Sequence, residues 1–422
     1  MKKISLMTIG AVVFLNATTI SQLLKKIDEI PDTKLDNVAI KEMKINKKSV
    51  TYSLYPKLTL TGSAEHFNIP TSIRPLPPTE STKIIMTHGS LPFSKNIYRI
   101  GFNFNMPLFI KEVYDNKKRM QFLLNATKYK SQINLLKRES TLIIYVSNLN
   151  YLYALKKALK TQYDSISTVY KATKTGVKVG RIPEFKLLRL KDSLISIKNR
   201  ISQVETKIAD MQSKIYTLTE TKINQPIKFY ANNVSKGEFI SLKPLKEQLK
   251  ASKYEIASKK DAYLPKVFLK MQGNRAFAKA YNTNENIALN YASAGIYITW
   301  DVFNKKNGAD IQKAKIARNK TSLEIAKTIK DLKAQIAYIN KSLKEIEKQL
   351  VLAKQSVDLK KELLKSAKTA FELNTMTVDE YLGYENDLAK AKADLANLIA
   401  LKNSLIAQKA LIYGKNLKKV FK

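Results

Sequence analysis

The sequence predicts a mainly α-helical fold with a minor β component: long antiparallel coiled-coil rods that carry four strands per chain. Three observations predict it. Two stretches hold apolar residues at alternating steps of three and four, the heptad spacing that makes helices supercoil around a partner. One seam is Leu187, Leu190, Leu194, Ile197, Ile201, Val204, Ile208, Met211, Ile215 and Leu218; the other is Ile329, Leu332, Ile336, Ile339, Leu343, Ile346, Leu350, Ala353 and Val357. Four other stretches alternate apolar and polar residues with period two, the pattern of strands with one apolar face. Finally, the order helix, strand, loop, strand, long helix, turn, long helix occurs twice.

Composition narrows the class. The chain has 422 residues, no cysteine and a formal net charge of +39. Without cysteine there is no disulfide framework, thiolate metal site, cysteine nucleophile or lipoprotein-type anchor. The excess of lysine is spread through the helices, where it suits solvated coiled-coil faces, so no nucleic-acid partner is expected. Met1-Lys2-Lys3 followed by an apolar run to Ala17 reads as a signal peptide over 1–17, too short to span a membrane as a helix. The mature chain is therefore expected outside the cytoplasm.

Residues 18–223 form the first expected repeat. A polar helical stretch from Ser21 to Val50 is broken at Pro31. Strands follow over about 52–67 and 96–109. In the second, Tyr98, Ile100, Phe102, Phe104 and Met106 face one way and Arg99, Gly101, Asn103 and Asn105 the other. Between the strands, Pro70, Pro75, Pro77, Pro78 and Pro92 predict a loop. A helical hairpin covers about 111–222, turning at Gly176, Gly180 and Pro183. Asn224 to Gly237 is irregular, and 224–240 is read as a linker. The second repeat, 241–422, holds a helix from Ser241 to Tyr263, strands over about 264–279 and 288–303, and a hairpin over about 304–413 that turns near Asn374. A helix as long as 304–371 reaches roughly 100 Å and needs partners along its length.

The repeats align residue by residue. Gly101 to Phe109 lies on Gly295 to Phe303 at an offset of 194, and Val179-Gly180-Arg181-Ile182-Pro183 lies on Leu373-Asn374-Thr375-Met376-Thr377 at the same offset. Four strands cannot close a barrel. Two chains would give eight strands, with a side-chain-filled interior; three would give twelve, with a bore. Apolar-out, polar-in strands of about ten residues are the mark of an outer-membrane barrel. Tyr98, Phe109, Trp300 and Phe303 sit near strand ends, where interfacial aromatics belong.

These features together resemble the TolC-like outer-membrane efflux proteins over nearly the whole mature chain. The resemblance rests on the duplicated plan, on the junctions Met106-Pro107-Leu108-Phe109 and Trp300-Asp301-Val302-Phe303-Asn304, and on the turns Val179-Gly180-Arg181 and Leu373 to Leu382. It implies a homotrimer whose twelve strands form one transmembrane β-barrel in outer-membrane lipid, with a periplasmic tunnel of α-helices in a Gram-negative-type envelope. It also implies docking to a periplasmic adaptor (membrane fusion) protein and an inner-membrane pump, for efflux or type I secretion. On the family's plan the pore entrance falls at Glu380, Lys186 and Phe371. The adaptor-docking helix tips fall at Val179, Gly180, Arg181, Asn374 and Thr375. Two departures stand out: Lys186 replaces the more usual acidic or polar group, and Asn374 replaces a glycine.

Nothing in the sequence carries chemistry. His66 and His88 lack metal-ligand spacing, and there is no phosphate loop or nucleophile elbow. Asp379 and Glu380 are adjacent on a helix and diverge, so they make no acid–base pair. No enzyme activity, metal or cofactor is expected. The lysine excess raises the further expectation of an anion-preferring lumen. The rival readings are a soluble sandwich and a soluble periplasmic coiled-coil adaptor or scaffold.

Overall fold

The computed structural model describes residues 19–422; the 1–17 segment read as a signal peptide lies outside them. The elements run α1 (Ile20–Lys26), α2 (Pro31–Tyr52), β1 (Lys57–Ser72), α3 (Pro78–Met86), β2 (Phe93–Phe109), α4 (Lys111–Lys178), α5 (Glu184–Thr219), α6 (Leu242–Asp261), β3 (Lys266–Lys279), β4 (Asn286–Thr299), α7 (Lys305–Glu372), α8 (Val378–Ile412) and α9 (Leu417–Val420). The chain divides into two compact units, each gathering segments from both halves of the sequence. One comprises the chain up to Val38 with Tyr129–Lys243 and Ala326–Lys422; the other comprises Ala39–Lys128 and Pro244–Ile325.

The first unit is helical, and the heptad seams line its core. On α5, Leu190, Leu194, Ile197, Val204, Ile208 and Ile215 are buried. On α7, Ile336, Ile339 and Ile346 are buried, and the seam residues between them are half-buried. α4 supplies Leu142, Ile143, Val146 and Leu149 to the same core. The stretch read as a linker is pinned by its backbone: the Asn150 amide donates to the Ile227 carbonyl at 2.7 Å and accepts from its N–H at 2.9 Å. Tyr230 and Lys422 exchange backbone hydrogen bonds, so the C-terminal segment closes over the linker.

The second unit holds one four-stranded antiparallel sheet in the order β1-β2-β3-β4. Register carries the alternation across all strands. Leu58 faces Phe104, Phe104 faces Met271 and Met271 faces Ala294; Leu60 pairs with Phe102, and Leu269 with both Met106 and Ile296. One face is therefore apolar but for Arg275 and Asn290 in one row, and it stands open: Leu60 is 80% exposed, Ile100 62% and Ile298 69%. The opposite face carries Thr59, Thr61, Asn103, Gln272, Asn274 and Ser293, with Arg99 paired to Glu65. A Cβ on Gly273 would stand 2.8 Å from the Phe102 ring, which lies across it. Phe102 thus covers the gap that a glycine leaves on the apolar face.

The sheet departs from the sequence reading in two ways. β1 starts at Lys57 rather than near 52 and runs on through Pro70, expected in the loop, and β4 stops at Thr299 rather than near 303, while β2 passes through Pro107 as expected. The registers break between His66 and Thr71 and between Pro107 and Phe109, so each proline sits at a bulge, where a missing N–H costs nothing. The proline-rich loop also contains the short helix α3, with Pro78 in its first turn, where proline is pre-organised. From Ile73 the loop folds back: Ile73, Arg74 and Pro75 line a cavity with Arg99, Asn274 and Tyr291 of the polar face. At that end the polar face gives way to a small apolar cluster of Ile73, Ile97, Ala276 and Ala278.

One buried ionisable group leaves a measurable trace. Glu139 on α4 is 3% exposed. Lys418 reaches it at 3.5 Å and Asp28 at 2.7 Å. Burial outweighs the lysine and pushes the Glu139 carboxyl up to about 7. The folded chain therefore holds a proton that the unfolded chain releases near pH 4.5, and the Glu139 contribution to stability falls as pH rises from there through 7. Thermal unfolding across this range is expected to show a midpoint decline in the wild type that Glu139→Gln flattens; parallel curves would exclude the carboxyl as its source.

Candidate functional site

The site is built where the two helical hairpins turn, inside the first unit. Both turns solve the same problem, ending a long helix and starting another within a few residues. Gly180 adopts φ 72° and Asn374 φ 57°, a left-handed conformation open to glycine and tolerated by asparagine. Arg181 N–H closes on Gly176 O at 2.9 Å, and Thr375 N–H on Ala370 O at 3.0 Å. The two turns thus share one Schellman-type closure at the positions aligned by the 194-residue offset. α5 then starts from Pro183, and α8 from Thr377.

Glu380 belongs to that helix start. Its carboxylate accepts from the Thr377 N–H and hydroxyl, each at 2.8 Å, while Glu380 N–H donates to Thr377 Oγ1 at 3.3 Å. This is a capping box, and the Thr377 donors hold the carboxyl below its ordinary value. Lys186 and Phe371 lie together elsewhere, lining a 190 Å³ cleft between the hairpins with Ile182, Lys368, Glu372 and Asn374. Phe371 also stacks on Tyr381 with ring centroids 5.1 Å apart. Within one chain, then, Lys186 and Phe371 meet, and Glu380 faces its own cap. Val179 is exposed at 62%, and Arg181, Asn374 and Thr375 are exposed at the tips. A Cβ on Gly180 would touch nothing.

Sequence reasoning missed what backs this surface. Tyr381 is fully buried; its hydroxyl donates to Glu385 at 2.7 Å, and Ser165 on α4 donates to the same carboxylate. Burial is the largest cause that raises the Tyr381 phenol, so it remains a neutral donor. The i,i+4 spacing of Tyr381 and Glu385 was visible, but only the fold brings Ser165 to them. Arg189 and Asp379 also link the hairpins at 3.5 Å near the tips, though both are too exposed to contribute much.

The expected interfacial aromatics lie at the two ends of the sheet in the second unit. Tyr98 stands on the apolar face toward the loops. Phe109 ends β2, and Trp300 and Phe303 follow β4, all exposed. Trp300 Nε1–H donates to Tyr263 O at 2.8 Å, and the Tyr263 hydroxyl donates to Asn304 O at 3.1 Å. Strand end and helix start are thereby tied to one another. His66 bonds Asn96 at 2.6 Å, and no group of three or more His, Cys, Asp or Glu able to hold a metal occurs among the described residues. No helix there is long and apolar enough to cross a membrane.

Comparison with solved structures places this architecture. The Campylobacter jejuni CmeC outer membrane channel aligns over 94% of this chain and 84% of its own, with TM-score 0.76 and 17% identity. The Vibrio cholerae outer membrane protein VceC covers 94% and 96%, with TM-score 0.76 and 13% identity. The open state of the Neisseria gonorrhoeae MtrE outer membrane channel covers 94% and 89%, with TM-score 0.73 and 13% identity. The chain therefore has the fold of these outer membrane channels. No family model matches the sequence, and no curated protein does either.

Glu380 is both a cap and a charge, and one substitution separates the two. Glu380→Gln preserves a capping side chain and removes the charge. Combined with Lys186→Ala, it is expected to raise single-channel conductance in planar bilayers while leaving helicity unchanged. An unaltered conductance would count against the entrance role that the resemblance implies for both residues.

Proposed function

We propose that this chain is an outer-membrane channel-tunnel that exports small molecules or proteins, handed to it by a periplasmic adaptor and an inner-membrane pump, to the exterior. One observation carries the reading: a sheet whose open face is apolar across four strands, broken at Arg275 and Asn290 near the loop end, with the unpaired edges β1 and β4 on either side. Such a sheet is stable in lipid only when its edges are closed by further copies. Three copies make twelve strands, enough for a water-filled bore. The eleven steps from Tyr98 to Phe109 cover about 36 Å of strand, which at a tilt of about 40° is about 27 Å across the bilayer, close to the apolar band of such barrels.

The helices support the same assembly. Outside its buried seam, α5 exposes Leu188, Ile195 and Tyr216, and α7 exposes Leu352 and Leu359. Each set is spaced by whole heptads, so each is a second apolar line fit for a neighbouring copy. The matching tip turns at Gly180 and Asn374 support a duplicated chain in which the hairpins repeat around the tunnel. Export signal, outer-membrane position and periplasmic tunnel follow as parts of one reading, and the similar structures described as outer membrane channels favour it. The chain itself performs no chemistry on its cargo; the pump supplies the energy. A soluble adaptor or scaffold would leave the apolar sheet face in water, and no observation favours it.

Purified full-length chain in detergent is expected to have the mass of three copies and to give stepwise conductance in planar bilayers. Ile195→Glu with Leu352→Glu is expected to leave helicity intact while the three-copy mass is lost. A lone soluble chain without conductance would refute the channel.

A further inference from the structure

The apolar face of the sheet ends in a cleft that differs from the rest of it. At the loop end, Ala64, Tyr98, Phe277 and Ala288 share one row of that face, and the pairs His66–Asn96 and Lys279–Asn286 lie beyond it. A 710 Å³ cleft opens here, lined by Tyr98, Phe277, Lys95, Lys279, Tyr281 and Asn286 among others. No carboxylate lines it, and neither lysine has an ion-pair partner among the described residues. One row below, Arg275 interrupts the apolar face; its guanidinium lies 5.4 Å from the Phe277 ring centroid. A cation on a face otherwise fit for hydrocarbon is costly unless its charge reaches an anion at the interface.

We propose that this cleft binds the phosphorylated headgroup of an outer-leaflet glycolipid, of the lipid A type. The inference rests on the barrel reading, which turns this face toward lipid. The chemistry of the site is divided accordingly. Tyr98 and Phe277 present ring faces and edges where acyl chains meet the headgroup, the level at which amphipathic rings settle. Lys279 stands beyond them, Lys95 lines the same cleft next to Asn96, and Arg275 lies one row below against the Phe277 ring, which eases its charge. Tyr281 and Asn286 add polar groups for sugar hydroxyls. The volume exceeds what a bare phosphate fills and suits a sugar phosphate. Two lysines in a lining without a carboxylate, with Arg275 one row away, match a ligand with more than one phosphate.

The test is native mass spectrometry of the detergent-solubilised full chain, with two probes that share acyl chains: bisphosphorylated lipid A and its dephosphorylated form. The wild type is expected to prefer the phosphorylated lipid, and Lys95→Gln with Lys279→Gln to weaken that lipid by about thirtyfold, from roughly one interfacial charge interaction per lysine. Equal retention of both probes, or an unchanged preference in the double variant, would overturn the proposal. So would full displacement of the lipid by millimolar inorganic phosphate, which would mark a simple anion site. The three-copy mass is read in the same spectra. If it is present without phosphate preference, the headgroup site alone fails; a single-copy mass with no lipid retained would sink the barrel reading that underlies it.

Discussion

Backbone hydrogen bonding at the two sheet edges is the constraint on which the rest depends. β1 and β4 each run for fourteen residues or more with one side unpaired. In water a protein blunts such edges; in hydrocarbon each unsatisfied group costs several kcal/mol, so the edges must pair. The apolar face makes the first option unattractive, because Leu58, Leu60, Ile100, Ile296 and Ile298 cannot be hidden by anything within the sheet. Closure by copies of the same chain satisfies both demands together. Bulges at Pro70 and Pro107 add bend and twist where a sheet must curl to close.

The helices obey a related logic with a different force. A helix as long as α7, from Lys305 to Glu372, gains little from propensity alone and is held by packing along its length. Its inner seam is used up within the chain, against α4, α5 and α8 in the first unit's core. The outer lines at Leu188, Ile195 and Tyr216 and at Leu352 and Leu359 remain. In the proposed assembly they would serve the helices as β1 and β4 would serve the sheet, as surfaces for the next copy. At the tips this packing ends, and local chemistry takes over: left-handed Gly180 and Asn374 turn the chain, Thr377 and Glu380 cap α8, and the Tyr381–Glu385–Ser165 cluster fixes the turn from behind.

Much of this was legible in the residues. Heptad steps placed the rods and named the buried faces, since every seam residue proves buried or half-buried. Alternation found the four strands and their faces but not all their ends: Tyr52 closes α2 and β4 stops at Thr299. What escaped were features set by geometry between distant segments. Pro70 looked like a strand breaker, and only the register shows the bulges that accommodate it and Pro107. Helix α3 is too short to announce itself by periodicity. Glu380 was assigned to the pore by resemblance, while the local Thr-x-x-Glu spacing already spelled a cap. The loop-end cleft brings together Lys95 and Lys279, far apart in sequence, and no linear pattern connects them.

Whether β4 of one copy pairs with β1 of the next is the most direct question to put to this account. The chain lacks cysteine, so a scan of cysteine pairs, one on each edge strand and centred on Thr61→Cys with Ser293→Cys, reports pairing without background. Both positions lie on the polar face, so their sulfurs can meet across a shared ladder. Oxidation of membranes is expected to yield covalent species that stop at three copies. Single chains at every register, or a ladder that continues beyond three, would contradict the closed trimeric barrel.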